Sequence, residues 1–458
     1  MKVIICGAGQ VGWQIARQLS GEANDVAIVD HNPALVRRAT DTLEVQGVVG
    51  FASHPDVLAE AGAAEADMII AATHSDEVNM VTCQVAHSVF DVTRKIARLR
   101  AQSYLDPQFA ELFGRDKMPI DVVINPEREV SRAALRRIAA PSTFDVQDFL
   151  DGSVRLAGVS LDADCPVLNT PLRQLTELFS SLRALVVGVR RAGKMFAPEP
   201  GDQLFQGDQI YVMSESSDLA RTLEIFGKPL AKQERIVIIG AGNVGLSVAR
   251  ELEGRVDRIR VKVIERDRSR AESAAELLER TIVLHGDGMD SDILSEAGIG
   301  NADAVLAVTD DDKTNLLTSV RAKAMGCKLS IALVNDPSLV PLLGPLGIDA
   351  HINPRATTVS SILRHVRHGK VRSIYTIGDG EAEVIEAQVL STSPLSGRAI
   401  GNIGFPEGAL VGAVKKRGVF IKPTGATELE EGDLLVIFAL SKDVPEIERL
   451  LQVAVEYF

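Results

Sequence analysis

Six short apolar runs open the chain: Lys2–Cys6, Asp25–Val29, Val45–Val49, Met68–Ala72, Lys95–Leu99 and Asp121–Ile124. Longer amphipathic stretches separate them. Runs this short read as strands buried on both faces, and the amphipathic stretches read as helices that cover them. Regular alternation of the two predicts a parallel, doubly wound sheet, an α/β fold. After Pro141 the pattern changes to short strands and tight turns, and "RLAGVSLDADCPVLNTPLRQL" reads as a small α+β unit.

The whole pattern then starts again. "KVIICGAGQVG" lies on "RIVIIGAGNVG", and "VAIVD", ending at Asp30, lies on "VKVIE", ending at Glu265. "IDVVINP" at Ile120 lies on "IDAHINP" at Ile348, and "QGDQIYVM" on "EGDLLVIF". A repeat this long is a two-domain module, not a solenoid unit. The expected organisation is a Rossmann-type domain at 1–125, an α+β domain at 142–228, a second Rossmann-type domain at 233–350 and a second α+β domain at 371–458. Basic helical stretches, Glu127–Ile138 and Ala356–His368, connect the members of each pair.

Each Rossmann-type unit carries G-x-G-x-x-G between its first strand and first helix. Gly7 and Gly240 permit the tight turn, Gly9 and Gly242 let backbone approach a pyrophosphate, and Gly12 and Gly245 let the helix pack closely. The following helix points free N–H groups and a partial positive charge at the phosphates. Asp30 and Glu265 end the second strands, where a carboxylate accepts from ribose hydroxyls and repels a 2′-phosphate. The fourth strands end in Thr73-His74 and Thr309-Asp310, on the edge where such sheets bind ligands. Asp76 and Asp312, just beyond, read either as helix caps or as ligand neighbours. "KIARLR" lies on "SIALVN", so Arg98 and Arg100 stand where the second half has Leu333 and Asn335. The first pocket is therefore expected to carry cations near the phosphates, and the second extra acids.

Composition narrows the function. The net charge is −13 and aromatic residues make up 4% of the 458, which disfavours nucleic acid and anionic lipid as partners. The four cysteines, Cys6, Cys83, Cys165 and Cys327, have no metal-ligand spacing, and no metal site is expected. Nothing before the first strand reads as a leader, and no apolar run approaches the ~18 residues of a membrane span. A dehydrogenase needs a proton donor or acceptor beside the nicotinamide. Segment 142–228 has no histidine, segment 371–458 has neither cysteine nor histidine, and His365 and His368 fall on a connecting helix. No catalytic residue is assigned.

"GAGQVG", "FASHPDVLAEAGAAEADMIIAAT", "SDEVNMVTCQVA" and "KIARLR" together resemble the TrkA family, peripheral regulatory subunits of bacterial Trk-type potassium uptake systems. The resemblance runs through both halves. It implies the domain order RCK-N, RCK-C, RCK-N, RCK-C (also called KTN and TrkA-C), and a non-enzymatic, cytoplasmic homo-oligomer, a dimer or tetramer, on the inner face of the membrane. It implies a membrane partner of TrkH or TrkG type, no direct membrane insertion, and NAD(H) or ATP and ADP as ligands. The dinucleotide contacts it implies are Gly7, Ala8, Gly9, Gln10, Val11, Asp30, Thr73, His74 and Arg98 in the first site. In the second they are Gly240, Ala241, Gly242, Asn243, Val244, Glu265, Thr309 and Asp310. Phe51 and His74 depart from the family pattern. Arg128–Arg137 and Arg364–Lys370 read as hinge and dimer elements or as solvated helix faces. The other readings are an NAD-dependent oxidoreductase and an RCK regulator of a different cation transporter.

Overall fold

The computed structural model describes all residues except 22–23, 115, 231–232, 256–258, 364, 367–370, 379 and 452–458. The chain divides into two compact units. The first holds residues 1–133, 333–337 and 352–366, and the second holds 134–332, 338–351 and 367–458.

In the first unit, β1 (Lys2–Cys6), β2 (Asp25–Asp30), β3 (Gln46–Val49), β4 (Met68–Ala71), β5 (Arg94–Arg98) and β6 (Val122–Ile124) form one sheet. Its order is β3-β2-β1-β4-β5-β6, and its registered pairs are parallel. The helices are α1 (Gln10–Ser20), α2 (Pro33–Thr42), α3 (Pro55–Glu60), α4 (Asp76–Phe90) and α5 (Pro126–Ala139), the last crossing the unit boundary. Strand alternation sends Val3 and Ile5 to one face and Ile4 and Cys6 to the other. Both faces are covered, as the continuous apolar runs require. Val3 and Ile5 pack with Ile15 and Leu19 of α1, while Ile4 and Cys6 pack with Leu58, Ala61 and Ala86.

The second unit begins with an antiparallel sheet, β7 (Asp145–Phe149), β8 (Val154–Ser160), β9 (Ala184–Arg191), β10 (Lys194–Phe196) and β11 (Gln209–Glu215), in the order β10-β9-β11-β8-β7. Helices α6 (Leu172–Leu178) and α7 (Leu219–Ile225) accompany it. The second parallel sheet has β12 (Arg235–Ile239), β13 (Arg260–Glu265), β14 (Ile282–His285), β15 (Ala304–Ala307), β16 (Leu329–Leu333) and β17 (Ala350–Ile352). Its order, β14-β13-β12-β15-β16-β17, repeats the first sheet strand for strand. Its helices are α8 (Asn243–Gly254), α9 (Arg268–Leu277), α10 (Ser291–Ala297), α11 (Asp312–Ala324) and α12 (Val340–Leu343), whereas α13 (Pro354–Leu363) belongs to the first unit.

The last sheet is built from β18 (Val371–Ile377), β19 (Ala382–Gln388), β21 (Ala409–Lys416), β22 (Val419–Ile421) and β24 (Leu434–Leu440). The short strands β20 (Arg398–Ala399) and β23 (Glu428–Leu429) pair with each other, and α14 (Val444–Leu451) closes the described chain. The two antiparallel sheets share one core, in which Leu156, Val187 and Met213 meet Val384, Val436 and Phe438. Close approach is enforced on both sides: a Cβ on Gly188 would lie 2.7 Å from the Phe438 ring, and one on Gly412 2.6 Å from the Met213 sulfur. Across this junction Glu386 accepts the Leu150 N–H at 2.7 Å, and the Tyr375 hydroxyl donates to Asp145 at 2.6 Å.

Described residues of the connecting stretch Ala356–His368 pack inward. Val359, Ile362, Leu363 and Val366 are buried in the first unit against Ile15 and Leu19 of α1, so α13 completes the core of the first Rossmann-type sheet. Within Glu127–Ile138, Val130, Ala134, Leu135 and Ile138 are likewise buried. Residues 364 and 367–370, and with them His368 and most of the Arg364–Lys370 stretch, lie outside the described residues.

Candidate nucleotide sites

The strand order reverses direction between β1 and β4, the switch point beside which such sheets bind ligands. Gly7 sits there with φ +108°, a region open to glycine, and its N–H donates to the Val29 carbonyl at 2.7 Å. A Cβ on Gly12 would fall 1.8 Å from the Gly7 carbonyl oxygen, so the turn and α1 fit only with glycine there.

Gly9 is different. Its backbone, φ −63° and ψ −174°, suits any residue, and among the described residues a Cβ there would meet nothing but its chain neighbours within 4 Å. Neither conformation nor packing within the chain calls for glycine at this point. The cradle it leaves open lies at the N-terminus of α1, which has no side-chain cap. Gln10 and Val11 form the first turn of that helix. Gly242 repeats every feature, with φ −69°, ψ −179°, open space at its Cβ and no side-chain cap for α8, whose first turn holds Asn243 and Val244.

Asp30 anchors the turn. Its Oδ2 accepts the Ala8 N–H at 2.7 Å and its Oδ1 accepts the Asn32 N–H at 2.8 Å. Glu265 accepts the Ala241 N–H at 2.7 Å and the Asp267 N–H at 2.8 Å, so the longer acid makes the same two contacts. Each carboxylate oxygen keeps a second acceptor position.

Thr73 and Thr309 abut the turns: a Cβ on Gly7 would lie 3.1 Å from the Thr73 Cα, and one on Gly240 3.3 Å from the Thr309 nitrogen. His74 and Asp310, next along, are exposed. Two residues that sequence reasoning missed hold this corner. The buried Asn79 accepts from the Thr73 N–H at 2.9 Å and from its hydroxyl at 2.6 Å, and donates to the Arg98 carbonyl at 2.8 Å. Asn315 binds Thr309 in the same way, at 2.9 and 2.7 Å. The signal was present, because the aligned runs "THSDEVNM" and "TDDDKTNL" share only a few positions and Asn is one of them.

Arg98 ends β5 half-buried, and its Nε is buried with no acceptor among the described residues. Burial, and then the neighbouring Arg100, lower the pKa of its guanidinium. A desolvated cation with an unsatisfied donor is fitted to receive an anion. Arg100 does not share that role: its Nε donates to Glu127 at 2.9 Å, so one of the two expected cations is already neutralised. Nor does Asp76 cap α4. Ser75 does so, and the buried Asp76 carboxylate receives the N–H groups of Arg100 and Ala101 at 2.8 to 3.0 Å. In the second copy Asp311, not Asp312, is the cap. The residue at the end of β16 that aligns with Arg98 is Leu333, which is buried.

The sequence model of the TrkA-N domain matches residues 3–126 and 236–354, and that of the TrkA-C domain matches 156–227 and 384–452. The Trk system potassium uptake protein TrkA of Azorhizobium caulinodans is 49% identical over 458 residues, all of both chains.

The chain belongs to the TrkA family.

The TrkA protein of Vibrio alginolyticus is 36% identical over 456 residues, 99% of each chain. Among solved structures, the GsuK RCK domain superposes with a TM-score of 0.60 at 19% identity, covering 98% of this chain and 94% of that one. The GsuK channel bound to NAD gives 0.60 at 19%, covering 98% and 78%. These last two establish a shared RCK fold. The two matches to the TrkA-N model in this chain coincide with the two parallel sheets, and each sheet carries one glycine turn.

Proposed function

We propose that this chain is the cytoplasmic regulatory subunit of a Trk-type potassium uptake system, and that it binds NAD(H) at two sites to gate a membrane potassium-conducting subunit. The observation that carries the nucleotide assignment is the pair of open cradles at Gly9 and Gly242, each at an uncapped helix N-terminus beside an anchored carboxylate. The names of the relatives, potassium uptake proteins matched along their whole length, supply the physiological setting.

In this reading the N–H groups at Gly9–Val11 and Gly242–Val244 face the pyrophosphate. Asp30 and Glu265 accept from the adenosine ribose, which favours NAD over NADP. Thr73, His74, Thr309 and Asp310 border the ligand, and Arg98 adds a cation to the first site. ADP and ATP share the pyrophosphate and adenosine and compete for the same positions. Ligand then shifts a conformational equilibrium in an oligomeric ring, a dimer or tetramer, docked on a TrkH- or TrkG-type partner.

No redox chemistry is assigned to the bound nicotinamide. Cys165 is buried with its thiol pKa raised by that burial, which keeps it protonated and a poor nucleophile. No described helix is long and apolar enough to cross a membrane. The test is potassium flux through the membrane subunit of the same system, reconstituted with and without this chain and with NAD, NADH, ADP or ATP. Flux that depends on both the chain and a nucleotide supports the assignment. Flux indifferent to the chain overturns it.

A further inference from the structure

A half-open cleft of about 60 Å³ lies in the first antiparallel domain, between α6, α7 and the sheet. Leu175 and Phe179 of α6, Val186 and Val212 of the sheet and Ile225 beside them give it apolar walls. Among the described residues its one charged lining residue, Lys422, comes from the other antiparallel domain, one position beyond β22. The Lys422 ammonium makes one long hydrogen bond, 3.4 Å to the Leu182 carbonyl, and no carboxylate pairs with it among the described residues. Burial lowers its pKa. The corresponding position beyond β10 is Ala197, so the first domain sends no matching cation the other way.

A half-buried ammonium with three donors and one weak acceptor favours an anion. A single positive charge against leucine, phenylalanine and valine suits one negative charge on an apolar body. A nucleotide would set several charges against hydrocarbon. A peptide would leave its backbone N–H groups without acceptors, since the Thr222 hydroxyl is already engaged with Ser214 and the Asp218 carbonyl.

We propose that this cleft binds a small monocarboxylate with an apolar chain, a medium-chain fatty acid in kind, with its carboxylate on Lys422 and its chain between α6 and α7. The ligand bridges the two antiparallel domains, since the walls belong to one and the cation to the other. The site is independent of the glycine turns.

The test is calorimetric titration of the full chain with octanoate, and with octanol as the uncharged probe. One octanoate per chain is expected, with octanol bound at least about tenfold more weakly. Lys422→Met should lower octanoate affinity about tenfold or more, and Lys422→Arg should restore most of it. Thr176→Trp, at an exposed position on the rim, should block entry without disturbing the fold. Failure of octanoate to saturate overturns the proposal. So does equal binding of octanol, which would mark apolar adsorption only. Unchanged affinity in Thr176→Trp overturns it even if Lys422→Met fails to fold.

Discussion

The Ala8 N–H donates to the Asp30 carboxylate at 2.7 Å, which ties the glycine turn to the end of β2. Asp30 therefore serves the fold as well as the proposed ligand. Asp30→Ala should weaken NAD(H) binding at the first site by ~1.5–3 kcal/mol and also destabilise the first unit, because two backbone N–H groups lose their acceptor. Trp13, the only tryptophan, lies on α1 beside this turn and gives the fluorescence readout for both titration and unfolding. Unchanged affinity would remove Asp30 from the site.

Asn79→Ala should be more disruptive than its place on a helix suggests. The change strands the Thr73 N–H and the Arg98 carbonyl, at a cost of about 2 kcal/mol, while the Thr73 hydroxyl keeps the Ser75 carbonyl. Chemical denaturation measures this directly. A loss under about 0.5 kcal/mol would mean that water replaces the carboxamide without penalty.

Much of this was legible in the sequence, and the reasons for the rest are physical. The β1 run "KVIIC" gives its strand, and "GAGQVG" its turn, because local sterics and burial dictate both. The destination of α13 was not legible. Ile362 and Val366 show an apolar face, but nothing local says that Ile15 and Leu19, at the other end of the chain, cover it. Charge pairing was hidden for the same reason. Arg98 and Arg100 look equivalent in "KIARLR", yet the Glu127 carboxylate takes its hydrogen bond from Arg100. Asn79 was overlooked because a carboxamide on a helix ordinarily reads as surface.

That pairing sharpens the comparison of the two sites. Arg98→Leu should lower nucleotide affinity at the first site about tenfold and bring it towards that of the second, while Arg100→Leu should have a smaller effect. Titrations at low and high salt check this, since screening narrows the gap for a partly exposed cation. Equal losses for the two arginines would show that the Glu127 pair does not hold Arg100 away.

Acid should act on the second unit through Asp303. Burial raises its carboxyl pKa, but hydrogen bonds from Lys328 and Arg235 and from the N–H groups of Arg235 and Glu234 outweigh that and hold it well below the ordinary 3.8. A depressed folded pKa means stability fully present above 3.8 and lost as pH falls through the lower folded value. Asp303→Asn should therefore be less stable at neutral pH and show a flatter acid limb. Unfolding curves from about pH 7 down to about pH 2 check it. Parallel acid limbs in variant and wild type would count against the assignment.

Gly9 and Gly242 give the most direct test of the nucleotide-binding claim, because a Cβ at either position meets no atom of the described residues beyond its chain neighbours within 4 Å. The measurement is NAD(H) binding stoichiometry and affinity by calorimetry for the wild type, Gly9→Val, Gly242→Val and the double variant, with unfolding curves alongside. The expected result is unchanged stability throughout, with two binding events in the wild type, one in each single variant and none in the double variant. Wild-type affinity in a folded double variant would contradict the account.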